Sequence, residues 1–126
     1  MIQDLGALIL FTASLERTVA FYRAIGAPLE EEKHDEEGPL HYACELGSTH
    51  LAIHAVDAAK GGRAAEWRSG GSSYFGFAVD SLADAVEAAR ALNARVLQEP
   101  EDFPWGPRAL VEDPDGRVVE LFERRA

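Results

Sequence analysis

The chain has 126 residues, a formal net charge of -10 and a single cysteine. That length fits one domain with a real core, and the acidic balance argues against nucleic acid, whose binders need a basic surface. One cysteine, Cys44, excludes an internal disulfide and a cysteine-based zinc site.

Residues 6–13 (GALILFTA) read as a short apolar strand. They are too few to cross a bilayer and no basic segment precedes them, so neither a signal peptide nor a membrane span is expected. A cytoplasmic protein without membrane partners is the expectation. Ser14 is an N-cap candidate for a helix running to about Ile25, with Leu15, Val19, Tyr22 and Ile25 at helical spacing. Gly26 suits the position after its end. Ala27–Lys33 reads as a second strand, and His34–Pro39 as a polar acidic loop.

Leu40–Leu46 and Thr49–Val56 read as a hairpin turning at Gly47-Ser48. A two-residue turn pairs Leu46 with Thr49, Glu45 with His50, Ala43 with Ala52 and His41 with His54. Alternation then puts Tyr42, Cys44, Leu46, Leu51 and Ile53 on one face. His41, Ala43, Glu45, His50, Ala52 and His54 share the other. A one-residue slip would send His41 to the opposite side.

Asp57–Ser73 is rich in Gly, Ala and Ser and reads as a linker, with one helical turn around Ala64–Arg68. Tyr74–Asp80 is a strand. Ser81 caps a helix to about Leu92, with Asp84 in a capping-box-like position and Asn93 ending it. Arg95–Gln98 is a strand and Glu99–Pro107 a loop. A final hairpin joins Arg108–Glu112 to Arg117–Glu123 through Asp113-Pro114-Asp115-Gly116, where Gly116 supplies a positive φ. Its second strand holds one carboxylate, Glu120, among Val118, Val119, Leu121 and Phe122.

The halves repeat. Shifted by 67 residues, Ser14 falls on Ser81, Leu15 on Leu82, Val19 on Val86, Arg23 on Arg90 and Gly26 on Asn93. Each half is strand, helix, three strands. The fold class is therefore α+β: two βαβββ modules (about 1–56 and 74–126, joined by 57–73) in a single domain that shares one core or cleft. The face sorting places Leu8, Leu10, Leu51, Ile53, Phe75, Phe77, Val79, Leu110, Val119 and Leu121 toward the helices. Ala7, Phe11, His41, His54, Tyr74, Gly76, Ala78, Ala109, Val111, Glu120 and Phe122 fall on the opposite face.

With this repeat, LERTVAFYRAIG early and VEDPDGRVVELFE late, the whole chain resembles the vicinal oxygen chelate superfamily. That group holds glyoxalase I, the bleomycin-resistance proteins and the extradiol dioxygenases. The resemblance implies curled sheets around a cleft with helices outside. It does not fix the chemistry, because many activities share the scaffold.

Metal-dependent members place one ligand on each of four strands. By resemblance those positions are Ala7, His54, Tyr74 and Glu120, so two of the four have lost an ordinary ligand. If His41 faces His54, then His41, His54 and Glu120 make two imidazoles and a carboxylate, which could hold Fe, Zn, Ni or Mn.

Three functional readings stand. The first is a metal-free small-molecule-binding protein of the bleomycin-resistance kind, with no cofactor. Its cleft for an aromatic or cationic ligand would be lined by Phe11, His41, His54, Tyr74, Trp105, Glu120 and Phe122. The second is a metal-dependent lyase, isomerase or dioxygenase using His54 and Glu120, with His41 completing the shell. The third is a metal-free enzyme with Glu120 as general base and His54 setting its pKa. Whether the chain is an enzyme stays open at this point. A homodimer is expected, since family members commonly pair. Trp105 reads as a ligand-stacking lid or as a plug at a sheet edge or dimer seam, and His50 with Glu45 as a cross-strand pair.

Overall fold

A computed structural model describes residues 1–32, 40–56 and 75–124. The chain runs β1 (Ala7–Thr12), α1 (Leu15–Ala24), β2 (Glu30–Glu32), β3 (His41–Leu46) and β4 (Thr49–Ala55). It continues as β5 (Phe75–Ala78), α2 (Leu82–Ala91), β6 (Val96–Phe103), β7 (Gly106–Glu112) and β8 (Val118–Phe122). Two four-stranded sheets result, ordered β1-β4-β3-β2 and β5-β8-β7-β6. Each is mixed: β1 runs parallel to β4 and β5 to β8, and the other pairs are antiparallel. This is the α+β architecture of two βαβββ units. The two helices stand at the same 67-residue offset as the sequence repeat.

The helix ends follow local chemistry, with one difference. Gly26 (φ 117°) and Asn93 (φ 64°) take the left-handed conformation just past α1 and α2, as their residue types allow. Ser81 accepts a hydrogen bond from the Asp84 amide, and the Glu123 carboxylate accepts one from the Leu82 amide. Ser14 precedes α1 but makes no side-chain cap. Its own amide instead donates to Thr12 Oγ1, and that hydroxyl lies 2.9 Å from Thr18 Oγ1.

One apolar cluster joins both halves: Leu10, Val19, Phe21, Tyr22, Leu51 and Ile53 from the first, Leu82, Val86, Ala109, Val111, Val119 and Leu121 from the second. Each helix covers one face of its sheet, and among the described residues no helix covers the other, here termed the open face.

The hairpin of β3 and β4 has the expected register, Leu46 opposite Thr49 and Tyr42 opposite Ile53. The hairpin of β7 and β8 does not have the expected faces. Leu110 lies opposite Glu120 on the open face, while Ala109 and Val111 lie opposite Leu121 and Val119 and are fully buried. The reason is packing. α2 packs on β7, and the buried residues of the two elements, Leu82, Ala85, Val86 and Ala89 with Ala109 and Val111, belong to one apolar cluster.

β6 is also longer than the sequence indicates. It extends through Glu99–Phe103 and turns at Pro104-Trp105 into β7, with register irregularities near Gln98 and Glu101. As an edge strand it tolerates Pro100, which has no N–H to give a ladder.

The clasp between the halves is polar and lies at the turn after β7. Asp113 Oδ1 accepts from the amides of Asp115 and Arg117. Its Oδ2 accepts from Tyr22 Oη at 2.6 Å and from Arg117 Nη1 at 2.8 Å. Arg117 Nη1 also donates to Asp115 Oδ2, and its Nη2 donates to the carbonyl of Phe11. A turn in the second module thus grips the first helix and first strand of the other.

Candidate functional site

The two open faces carry different side chains. On the first sheet, His41 and His54 stack with ring centroids 4.1 Å apart and planes 10° apart, as the two-residue turn requires. Phe11, beside His54 across β1 and β4, lies 5.8 Å from it. His41 is buried, with Glu32 Oε2 3.8 Å from its Nε2. His50 Nδ1 contacts Glu45 Oε1 as the cross-strand pair the register dictates.

On the second sheet, register builds a patch two rows deep. Gly76, Glu120 and Leu110 stand side by side on β5, β8 and β7, and Ala78, Phe122 and Arg108 form the next row. Gly76 and Ala78 are exposed and leave a low floor. At Gly76 a Cβ would sit 3.1 Å from Glu120 Oε2 and 3.4 Å from the Phe122 ring, so these side chains lean over the glycine.

Arg108 and Glu120 are diagonal neighbours on one face, within each other's reach. Nε of Arg108 is 2.8 Å from Glu120 Oε1, with side chains 17% and 26% exposed. The contact is an ion pair and not an aligned hydrogen bond: Nε is buried and has no hydrogen-bond partner among the described residues. The guanidinium carbon lies 5.6 Å from the centre of the Phe103 ring. Phe103 stacks on Trp105 at 5.1 Å and 9°, and Trp105 is 64% exposed at the β6–β7 turn.

So the structure divides the residues expected at the site into two groups. Phe11, His41 and His54 meet on the first sheet, and Glu120 and Phe122 on the second, with Trp105 on the neighbouring turn. Tyr74 lies outside the described residues, as does the Asp57–Ser73 linker. Among the described residues no three His, Cys, Asp or Glu side chains gather as a metal would need. His41, His54 and Glu120 therefore do not fit a metal centre in this arrangement, and no chemistry is derived through one.

Arg108, Phe103 and Gly76 were not among the expected site residues. The signal for Arg108 lies in the hairpin: once the turn places Glu112 opposite Val118, Arg108 must share a face with Glu120.

A cavity of about 470 Å³ lies where the end of α1 meets the start of α2, lined by Tyr22, Ile25, Leu46, Phe77 and Asp84 among others. Of the site residues above it touches Ala78 alone, and it is a crevice between modules. No helix among the described residues is long and apolar enough to cross a membrane.

Residues 4–121 match the family model described as Glyoxalase/Bleomycin resistance protein/Dioxygenase superfamily. A probable chloroplastic lactoylglutathione lyase from Arabidopsis thaliana is 43% identical over 56 residues, 43% of this chain. That match spans only 16% of the plant protein's length. Among solved structures, a glyoxalase/bleomycin resistance protein/dioxygenase family enzyme from Burkholderia phytofirmans PsJN superposes with a TM-score of 0.72 at 19% identity, covering 98% and 100% of the two chains. TnmS3, an antibiotic binding protein from Streptomyces sp. CB03234, gives 0.67 at 19%, covering 98% of each. The fosfomycin resistance protein FosX from Listeria monocytogenes gives 0.68 at 19%, covering 100% and 94%. At these identities the structures share the fold with this chain.

Proposed function

The chain belongs to the glyoxalase/bleomycin resistance protein/dioxygenase superfamily, and from that premise we propose that it is a small-molecule-binding protein that works without a resident metal. Its ligand is an aromatic compound held on the open face of the second sheet. One observation carries this reading: the family carboxylate position, Glu120, is engaged by Arg108 in a patch with Phe122, Phe103 and Trp105. Aromatic side chains offer stacking surface, and the small residues Gly76 and Ala78 leave room for a planar ring. The histidine pair on the other sheet is stacked on itself and supports the same reading. An ion-paired Glu120 also turns the reading from a cationic ligand toward an aromatic one. The structural likeness to an antibiotic binding protein accords with it.

A homodimer belongs to the proposal. Ile2, Leu5 and Ile9 are exposed along the first strand and the segment before it, and a second copy would cover them. Light scattering of the purified protein should give twice the chain mass.

A thermal-shift and calorimetric screen of planar aromatic compounds tests the function. A ligand at about 100 times its Kd stabilises by roughly 2.7 kcal/mol, a rise of several degrees for a domain of this size. Stoichiometric metal retained through purification, with no response to any aromatic compound, would overturn the reading.

A further inference from the structure

We infer that the crevice between the two helices is a second binding site, separate from the open-face patch, and that it takes an organic cation: an ammonium group on a compact apolar body. It shares only Ala78 with that patch. Its walls, its charge and the origin of its space lead there.

The walls come from both modules. The cavity of about 470 Å³ lies where the end of α1 meets the start of α2, and small-molecule sites span roughly 300–1,000 Å³. Tyr22 and Phe77, one from each module, line it and meet edge to face with ring centroids 6.2 Å apart. Ile25 and Leu46 add aliphatic surface. An apolar body set against these side chains is driven there by the water it sheds.

The charge is negative. Asp80 and Asp84 line the crevice, both exposed, and among the described residues no Lys, Arg or His does. Neither carboxylate has an ion pair or a hydrogen bond among the described residues. The start of α2 offers an anion little, because its amides are engaged: the Glu123 carboxylate accepts from that of Leu82, and Ser81 from that of Asp84. An anion would meet two carboxylates, whereas an ammonium group gives them the counter-charge they lack.

The space has a particular origin. At the 67-residue offset Asp84 answers to Arg17, Ala88 to Phe21 and Leu46 to Asp113. Arg17, Phe21 and Asp113 line the counterpart crevice, where the end of α2 meets the start of α1, and its volume is only about 260 Å³. Phe21 takes up room there that Ala88 leaves here, and Arg17 and Arg95 bring cations to it. The larger volume and the acidic sign therefore come from individual residues, Ala88 and Asp84, and not from the way the modules join.

Titration calorimetry with 1-adamantylammonium and adamantane-1-carboxylate, one cage with opposite charges, tests the inference. The cage is not planar, so it does not suit the flat floor of the open face. The ammonium compound should bind at least ~5-fold more tightly, about the worth of one partly exposed ion pair. Asp80→Asn combined with Asp84→Asn should remove that preference, and Arg17→Gln should leave it in place. Ala88→Phe, which copies the counterpart residue, should weaken both compounds at least ~10-fold by filling the space. Should Ala88→Phe fail to fold by circular dichroism, Ala88→Leu fills less and should still cost ~3-fold. A carboxylate that binds equally or better overturns the inference. So does a folded Ala88 variant that keeps the ammonium affinity within twofold, or an Asp80/Asp84 double variant that keeps the full preference. An equal loss in Arg17→Gln, or binding of neither compound at millimolar concentration, overturns it too. Each of these results leaves the open-face reading standing.

Discussion

The carboxylate of Asp113, a residue 4% exposed, accepts four hydrogen bonds, from two amides of its own turn, from Tyr22 and from Arg117. Replacing Asp113 with Ala takes the fully buried carboxylate from Arg117, whose side chain is 12% exposed, and leaves it Asp115 and the Phe11 carbonyl. Burial alone would lower the Arg117 pKa, but its bonds to Asp113 override that and raise it. We expect Asp113→Ala to cost about 3–5 kcal/mol, as breaking a buried pair does, measured by urea denaturation. Tyr22 carries a separate signature. Burial, then the Asp113 charge, raises its pKa well above the ordinary 10.0. The folded state therefore keeps a proton that the unfolded chain releases. This stability is fully present below about pH 10 and is lost as pH rises toward the folded value. Tyr22→Phe should lack that alkaline loss, and the difference between the two stability–pH curves checks it. None of this was legible from Asp113 or Tyr22 alone: a helix tyrosine reads as core and a DPDG run as a turn, and their contact spans 91 positions.

At the scale of elements, alternation and turn chemistry located most strands and both helices, and the Gly47-Ser48 turn set a register that placed His41 on His54. The last hairpin resisted because size misleads within β7: Leu110 is larger than Ala109 and Val111 and reads as the core residue. The charged Arg108 and Glu112 share its face, and the turn that sets Glu112 opposite Val118 fixes that face as the open one. β6 resisted because acids and prolines read as loop, although an edge strand accommodates them. Gly76 shows how tightly β5 is matched to β8. Gly76→Ala should lower stability by about 1–3 kcal/mol by overpacking, because a Cβ there presses on Glu120 and Phe122. It should also weaken the aromatic ligand, since the floor rises. Denaturation and calorimetry on the same variant measure both. An unchanged protein on both counts would mean that Glu120 swings clear at no cost.

For the whole molecule, the repeat and the family motif made the fold class legible, because a 67-residue offset carries the helix positions without any knowledge of packing. How the halves join was not legible. The apolar cluster runs through both, with α1 in contact with α2 and the polar clasp beside them. The modules should therefore melt together, with calorimetric and van't Hoff enthalpies in agreement. Two resolved transitions would show that the shared core does not couple them.

The clasp also breaks the symmetry of the duplication. At the 67-residue offset Tyr22 becomes Ala89 and Phe11 becomes Ala78, while Asp113 and Arg117 become Leu46 and His50. One copy holds only the keyhole and the other only the key. Two first halves, or two second halves, joined in tandem would each keep a complete βαβββ unit but have nothing to turn in the lock.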